Sequence, residues 1–436
     1  MDRTIGTIRL VRVAVLFAGA LLAQTKPPAA AALPSKSPAE MLNAELPKWL
    51  GFSGEIRTRL EGFENGAFRG NNDDLYLLTR VRVNMRITPT PWLKLFAQGQ
   101  DARVFWKNQN PARPPFQDTM DLRQAYVEIG DTEKKSMGVR VGRQELVFGE
   151  QRLIGHVSWL NTARSFDAAR ATFAHKGYKL DAWASSVVVI KDGEFNKRVD
   201  GDNFHGLYGA ITAWIPKSVV EPYVLWRVNR VTDFFTTGAR VAGKLPKSFD
   251  YSIEMAKQTG KVAKNDFGAW AGHWLIGYTL ATTKYTPRLI AEYNYASGDK
   301  DTADKKLGTF DQLYPTPHDK IGLADQVGWK NVSHVRFGTE IKLTKKLMLN
   351  PNYHNIWLAN AHDGLYGVNS ALVVRKADGS AGTHIGQEID GQVFYPLNKQ
   401  VGMAFGVAHL FPGEFLKKAT PGKSYTMPYA MLTYTF

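Results

Sequence analysis

The chain has 436 residues, no cysteine, and 55 Lys and Arg against 40 Asp and Glu, a formal charge of +15. The absence of thiols excludes a disulfide scaffold, a thiolate metal site and a cysteine nucleophile, and the cationic excess points to an anionic partner. Beyond the N-terminal segment no window offers the roughly 18 uninterrupted apolar residues that a helix needs to cross a bilayer, so a membrane-crossing chain of this kind must use strands.

Residues 1–32 read as a secretory signal peptide and small-residue tract. Arg3, Arg9 and Arg12 precede an apolar core from Val13 to Ala23, which is too short to span a membrane. Residues 33–50 are expected to be a short leader, and 51–436 a single barrel domain. For a secreted chain the positive charge suits lipopolysaccharide or an acidic solute better than nucleic acid.

From Gly54 onward a period of two recurs, with one parity apolar and the other charged. Glu55, Arg57, Arg59 and Glu61 alternate with Ile56, Thr58 and Leu60; Arg80, Arg82 and Arg86 alternate with Val81, Val83 and Met85. A helix would scatter these arginines around its circumference. Further on, Asp250, Ser252 and Glu254 oppose Tyr251, Ile253 and Met255, and His334, Arg336 and Glu340 oppose Val335, Phe337 and Ile341.

The pattern predicts eighteen strands: 53–64, 75–88, 91–106, 120–130, 136–148, 166–176, 178–191, 204–215, 219–230, 236–245, 249–259, 267–280, 287–296, 332–343, 347–359, 382–395, 400–411 and 426–436. Connections after even strands are short. Those after odd strands are long, at 65–74, 107–119, 149–165, 192–203, 297–331, 360–381 and 412–425, with only the ninth and eleventh modest. An even strand count with short turns at one end and long loops at the other describes an all-β outer-membrane barrel. The chain ends on an alternating strand with Pro428, Ala430, Leu432, Tyr434 and Phe436 on one face. A lumen of this size is too wide for side chains to fill, so function is expected in wall charges and inserted loops.

The polar parity carries Arg57, Arg59, Arg80, Arg82, Arg86, Arg140, Arg170, Arg227 and Arg336. Guanidinium groups stay charged and bind carboxylates in a bidentate way, which suits a path for acidic solutes. Glu55, Glu61, Glu254, Glu292, Glu340, Glu388 and Asp390 share that parity, so mutually compensating ion pairs are the competing reading. The stretch 142–167 holds Arg143, Arg152 and Arg164 beside Glu145, Glu150 and Asp167, and is too apolar for a solvated loop. It is expected to pack inside the barrel or across its mouth.

The stretch 297–331 opens with Asp299, Asp301 and Asp304, then places Phe310, Asp311, Tyr314, His318 and Asp319 in a run expected to fold inward as a plug or gate. The acidic start lacks the glycine and closing glutamate of an EF-hand, and a solvated loop is the better reading. No hydrolase, zinc-protease or phosphate-loop motif is present. The histidines, His273, His334 and His354 among them, show no ligand spacing. No catalytic residue, metal or cofactor is expected.

Three groups of residues, GRQELVFGEQRLIG with WLNTARSFDAAR (142–170), EYNYASGDKD with GTFDQLYPTPHDKIGLADQVGW (292–329) and IGQEIDGQVFYPLNKQ with the run from 408 to 436, resemble the alginate export family of outer-membrane proteins. The resemblance implies an eighteen-stranded barrel with an electropositive, arginine-lined constriction gated by loops. It extends to Arg143, Arg152, Arg164 and Arg170, whereas Arg57, Arg80, Arg82 and Arg336 rest on parity alone. The implied activity is export or passive diffusion of an alginate-like polyuronate, by a monomer in outer-membrane lipid, with a periplasmic secretion partner delivering polymer. The alternatives are a less selective porin for uptake of small anionic solutes, and an outer-membrane hydrolase or adhesin.

Overall fold

The computed structural model describes residues 36–108, 113–133, 136–301 and 303–436; the expected signal peptide lies outside them. Eighteen long strands form one closed antiparallel barrel. They are β1 Leu50–Phe63, β2 Asp74–Thr90, β3 Leu93–Phe105, β4 Asp118–Gly130, β5 Ser136–Gln144 and β6 Phe166–His175. Next come β7 Tyr178–Val189, β8 Lys197–Ile211, β9 Ser218–Val228, β10 Thr232–Lys244, β11 Phe249–Val262 and β12 Asn265–Thr279. The last are β13 Arg288–Ala296, β14 Val332–Lys342, β15 Met348–Leu358, β16 His384–Pro396, β17 Val401–Pro412 and β18 Tyr425–Thr435.

Each strand pairs with its sequence neighbours, and β18 returns to β1, so no edge is left open. The C-terminus completes the seam: Gly54 N donates to Phe436 O at 2.8 Å and Phe436 N to Gly54 O at 3.0 Å. A side chain on Gly54 would strike the Phe436 ring, because a Cβ there would lie 2.4 Å from its edge. The residue at the seam must therefore be glycine.

The apolar parity faces outward, with Val81, Val83, Val139, Phe173, Leu207 and Phe337 all exposed. Water would penalise so continuous a band, whereas lipid accepts it. Trp92, Tyr178 and Trp214 mark the short-turn end, and Trp226 and Trp270 the long-loop end, as interfacial aromatics do. No helix among the described residues is long and apolar enough to cross a membrane.

Two expected boundaries move for physical reasons. The strand expected over 136–148 stops at Gln144 because Leu146 and Phe148 turn inward and are buried. The connection expected at 192–203 shrinks to 190–196, since β8 begins at Lys197 opposite Val189. The described segment ahead of β1 contains a helix, α1 (Pro38–Glu45), started by a Ser37/Glu40 capping box. Asn43 fastens it to β1 by donating to Phe52 O at 2.7 Å and accepting from Phe52 N at 2.8 Å.

Two long loops, L3 (145–165) and L7 (297–331), enter the lumen. Their residues Leu153, Ile154, Phe310, Leu313, Leu323 and Trp329 form a buried apolar core with wall residues such as Phe166 and Phe204. Loop L8 (359–383) carries a small hairpin, Gly364–Tyr366 with Leu372–Arg375, and L9 (413–424) a helix, α2 (Glu414–Ala419).

Candidate functional site

The β1 and β2 wall sets cations side by side. Arg57 is the direct cross-strand partner of Arg80, and Glu55 of Arg82. Like charges so placed repel, and L3 supplies the compensation through backbone oxygens. Arg57 donates to the carbonyls of Ser158 at 2.7 Å, Trp159 at 3.2 Å and Leu160 at 3.2 Å. Arg80 donates to Ser158 O at 3.0 Å and Leu160 O at 3.1 Å, and pairs with Glu55 at 2.6 Å. Arg59 donates to Trp159 O at 2.6 Å and lies 3.6 Å over the Trp159 ring, whose opposite contact is a 3.7 Å parallel stack with His318 of L7.

Asn161 completes this side. Its amide nitrogen is shared among the carbonyls of Thr79 (3.0 Å), Arg103 (3.1 Å) and Phe116 (2.9 Å), while its oxygen accepts from Arg57. Asn161→Ala strips acceptors and donors from a buried site, at about 1–3 kcal/mol of loop docking. The expected result is faster proteolysis within 145–165 in an otherwise intact barrel; unchanged cleavage kinetics would remove Asn161 from the docking contacts.

Across the lumen L3 meets a second wall. Glu150 accepts from Arg240 at 2.8 Å, and Arg152 donates to Glu292 at 2.7 Å, which also binds Arg336. Burial raises the Glu150 carboxyl, but Arg152 and His273 outweigh it and hold the group at about 2. L7 approaches this wall by its amides: Ala324 N donates to Glu388 at 2.9 Å and Leu323 N to Asp390 at 3.3 Å. Gly322, at φ +91°, makes that approach possible, because a Cβ would lie 2.5 Å from the Glu388 carboxylate.

The loops also bind each other. Tyr314 N donates to Leu153 O at 2.9 Å, Gly155 N to Tyr314 O at 2.8 Å and Thr316 N to Gln151 O at 2.8 Å. Arg164 donates to Gly155 O at 3.1 Å and Pro315 O at 2.9 Å; burial lowers its guanidinium to about 10 and raises the Tyr314 hydroxyl to about 12. L3 thus crosses the lumen from the arginine wall to the acidic wall, with L7 strapped to it.

Arg170 faces the lumen and pairs with Asp181 at 2.7 Å, and Arg336 sits on Glu292. Arg143 is a correction: it shares the outward parity of Val139 and Val141, and bonds Asp167 at 2.8 Å. Arg82 faces inward; its Nε donates to Gln100 at 2.8 Å, and its buried Nη2 has no acceptor among the described residues.

In L7, Phe310 is buried against Trp329, Asp311 pairs with Arg227 at 3.0 Å, and His318 bonds Asp325 at 2.7 Å. Three other L7 residues depart from the expected inward gate. Asp299 anchors L8 through Asp363, Asp301 is an exposed turn cap for Ala303, and Asp319 is half-exposed beside Lys320.

The sequence reading passed over Asn161, Arg123 and the buried histidines His273, His334 and His354. Arg123 bonds Gln98 and Glu145. The available signal was register: His273 pairs with Asn294, and Asn294 with His334, all on the lumen parity.

Solved structures share this architecture. OpdO of Pseudomonas aeruginosa superposes with a TM-score of 0.60 at 13% identity, covering 90% of this chain and 99% of its own. OprD of the same organism gives 0.59 at 11%, covering 89% and 93%. OccK2 (OpdF), solved in complex with glucuronate, gives 0.59 at 10%, covering 89% and 96%. No curated protein sequence matches the chain. The alginate export family matches over residues 48–430, nearly the whole described barrel. With the closed strand pairing and lipid-facing band, this match places the chain in the bacterial outer membrane as a channel-type barrel: it belongs to the alginate export family.

Proposed function

We propose that this barrel passes small acidic solutes of the uronate class across the outer membrane, by stepwise contact with lumen cations. The observation that carries this reading lies on the short-turn side of L3. There Arg82 and Arg86 stand on the inward face of β2 with no carboxylate in ion-pair range among the described residues, while Arg57, Arg59 and Arg80 above them are held by loop carbonyls. Weak, separated cationic steps let an anion enter and leave. The crossing of L3 and L7 narrows the lumen, and a glucuronate-bound barrel of the same fold supports that ligand class. Export of a polyuronate is the second reading, favoured by the family match, and it requires the loops to give way.

The test is the reversal potential of single channels in a KCl gradient. Wild type is expected to prefer anions, and Arg82→Glu with Arg86→Glu to lower that preference by roughly threefold or more. Cation preference in wild type, or unchanged selectivity in the double variant, would refute the arginine path. Glucuronate that permeates where longer oligouronates only block favours the small-solute reading; permeation by both favours polymer export.

A further inference from the structure

Between the two loop anchors on the acidic wall runs a continuous row of buried side chains. Arg152 of L3 donates to Asn294 Oδ1 at 3.2 Å, and His273 Nδ1 lies 2.9 Å from the same oxygen. Asn294 Nδ2 contacts His334 Nδ1 at 2.9 Å, His334 Nε2 contacts His354 Nδ1 at 2.8 Å, and His354 Nε2 lies 2.8 Å from Asp390. Asp390 and its neighbour Glu388 receive the Leu323 and Ala324 amides of L7. His273, His334 and His354 are each no more than 1% exposed.

The donor directions are determined. Arg152 can only donate, so the amide oxygen of Asn294 faces it and the amide nitrogen faces His334. His334 Nδ1 is therefore an acceptor, its Nε2–H donates to His354 Nδ1, and the His354 proton sits on Nε2, 2.8 Å from Asp390. One more proton on this imidazole pair has a single consequence wherever it lands. On His334 it occupies Nδ1; on His354 it occupies Nδ1, which pushes the His334 proton from Nε2 to Nδ1. Either way an N–H confronts the N–H of Asn294. The amide must turn over, giving up the 2.9 Å bond its nitrogen donates to Glu292, and that nitrogen then faces Arg152 and His273.

We propose that this row is a proton-operated latch: acid turns the Asn294 amide, loosens the hold of the wall on Arg152, and lets L3 and L7 give way so that the lumen widens. Charged groups of both signs surround it. Glu254 from β11, Glu292 from β13, Arg336 from β14, Glu388 and Asp390 from β16, Glu150 and Arg152 from L3 and Asp325 from L7 face the row. An added positive charge lies between Arg152 and Arg336 and competes with both for Glu292.

The latch rests on the channel reading for its purpose but not for its test. In planar bilayers, wild type is expected to raise its open probability by roughly tenfold between pH 7.5 and pH 5. His334→Gln with His354→Gln keeps donors and acceptors without titration, and Asn294→Asp accepts from Arg152 and from a protonated His334 alike; both should abolish the rise. Because the chain has no cysteine, Ser158→Cys with Lys345→Cys gives a clean spin-label pair whose separation should lengthen in acid. A silent bilayer with that lengthening upholds the latch and defeats the channel reading. Conductance without an acid response, or an acid response that persists in Asn294→Asp, overturns the latch.

Discussion

Replacing residues 298–330 with a short Asn-Gly turn is expected to raise single-channel conductance by roughly fivefold or more, because an eighteen-stranded barrel without inserted loops encloses an aqueous bore. The deletion is compatible with folding, since Ala296 and Val332 are direct cross-strand partners and the β13–β14 ladder continues below them without L7. Two losses combine in the effect. The L7 core residues Phe310, Ile321, Leu323 and Trp329 leave the lumen, and L3 loses the Leu153, Gly155 and Gln151 backbone bonds that strap it to L7. The deletion should also weaken the acid response, because Asp390 no longer carries a loop amide. Heat-modifiable migration on a gel checks that the barrel remains closed. Conductance equal to wild type would mean that L7 does not narrow the passage.

The barrel was legible in the sequence because its physics is local. Period-two patterning and turn length are written within each strand, and they carried all eighteen strands, most of them to within a few residues. The loop interior was legible only as composition. Leu146, Leu153, Phe310 and Trp329 are too apolar for water, which says that L3 and L7 are buried but not against what. What ties Arg57 and Arg80 to L3 is chiefly the backbone carbonyls of Ser158 and Leu160, groups every residue possesses, so no side-chain pattern announces them. Arg143 failed for a related reason. The family resemblance of its run assigns it to the anion path, and that run does not tell that Arg143 and Asp167 pair on outward positions near the rim. The histidine row spans strands far apart in sequence, and only the antiparallel register brings Asn294 between His273 and His334.

Arg152→Ala is expected to be the most damaging single substitution in L3, more so than Arg80→Ala is to the docking of that loop. Truncating Arg80 leaves Ser158 O and Leu160 O still bonded to Arg57, a loss on the order of 1 kcal/mol. Truncating Arg152 leaves Glu292, 4% exposed, with Arg336 as its remaining cation, and frees Glu150 to follow Arg240 alone. Removing one member of a buried pair costs about 3–5 kcal/mol, which corresponds to a shift of roughly a hundredfold or more in the docked fraction of the loop. A double-mutant cycle with Glu292→Gln separates this from general loosening: the two changes should be strongly non-additive, because with a neutral amide at 292 the loss of Arg152 strands no carboxylate. Open-state dwell times give the docked fraction directly. Additive effects, or a smaller shift for Arg152→Ala than for Arg80→Ala, would move the principal anchor of L3 from the acidic wall to the arginine wall.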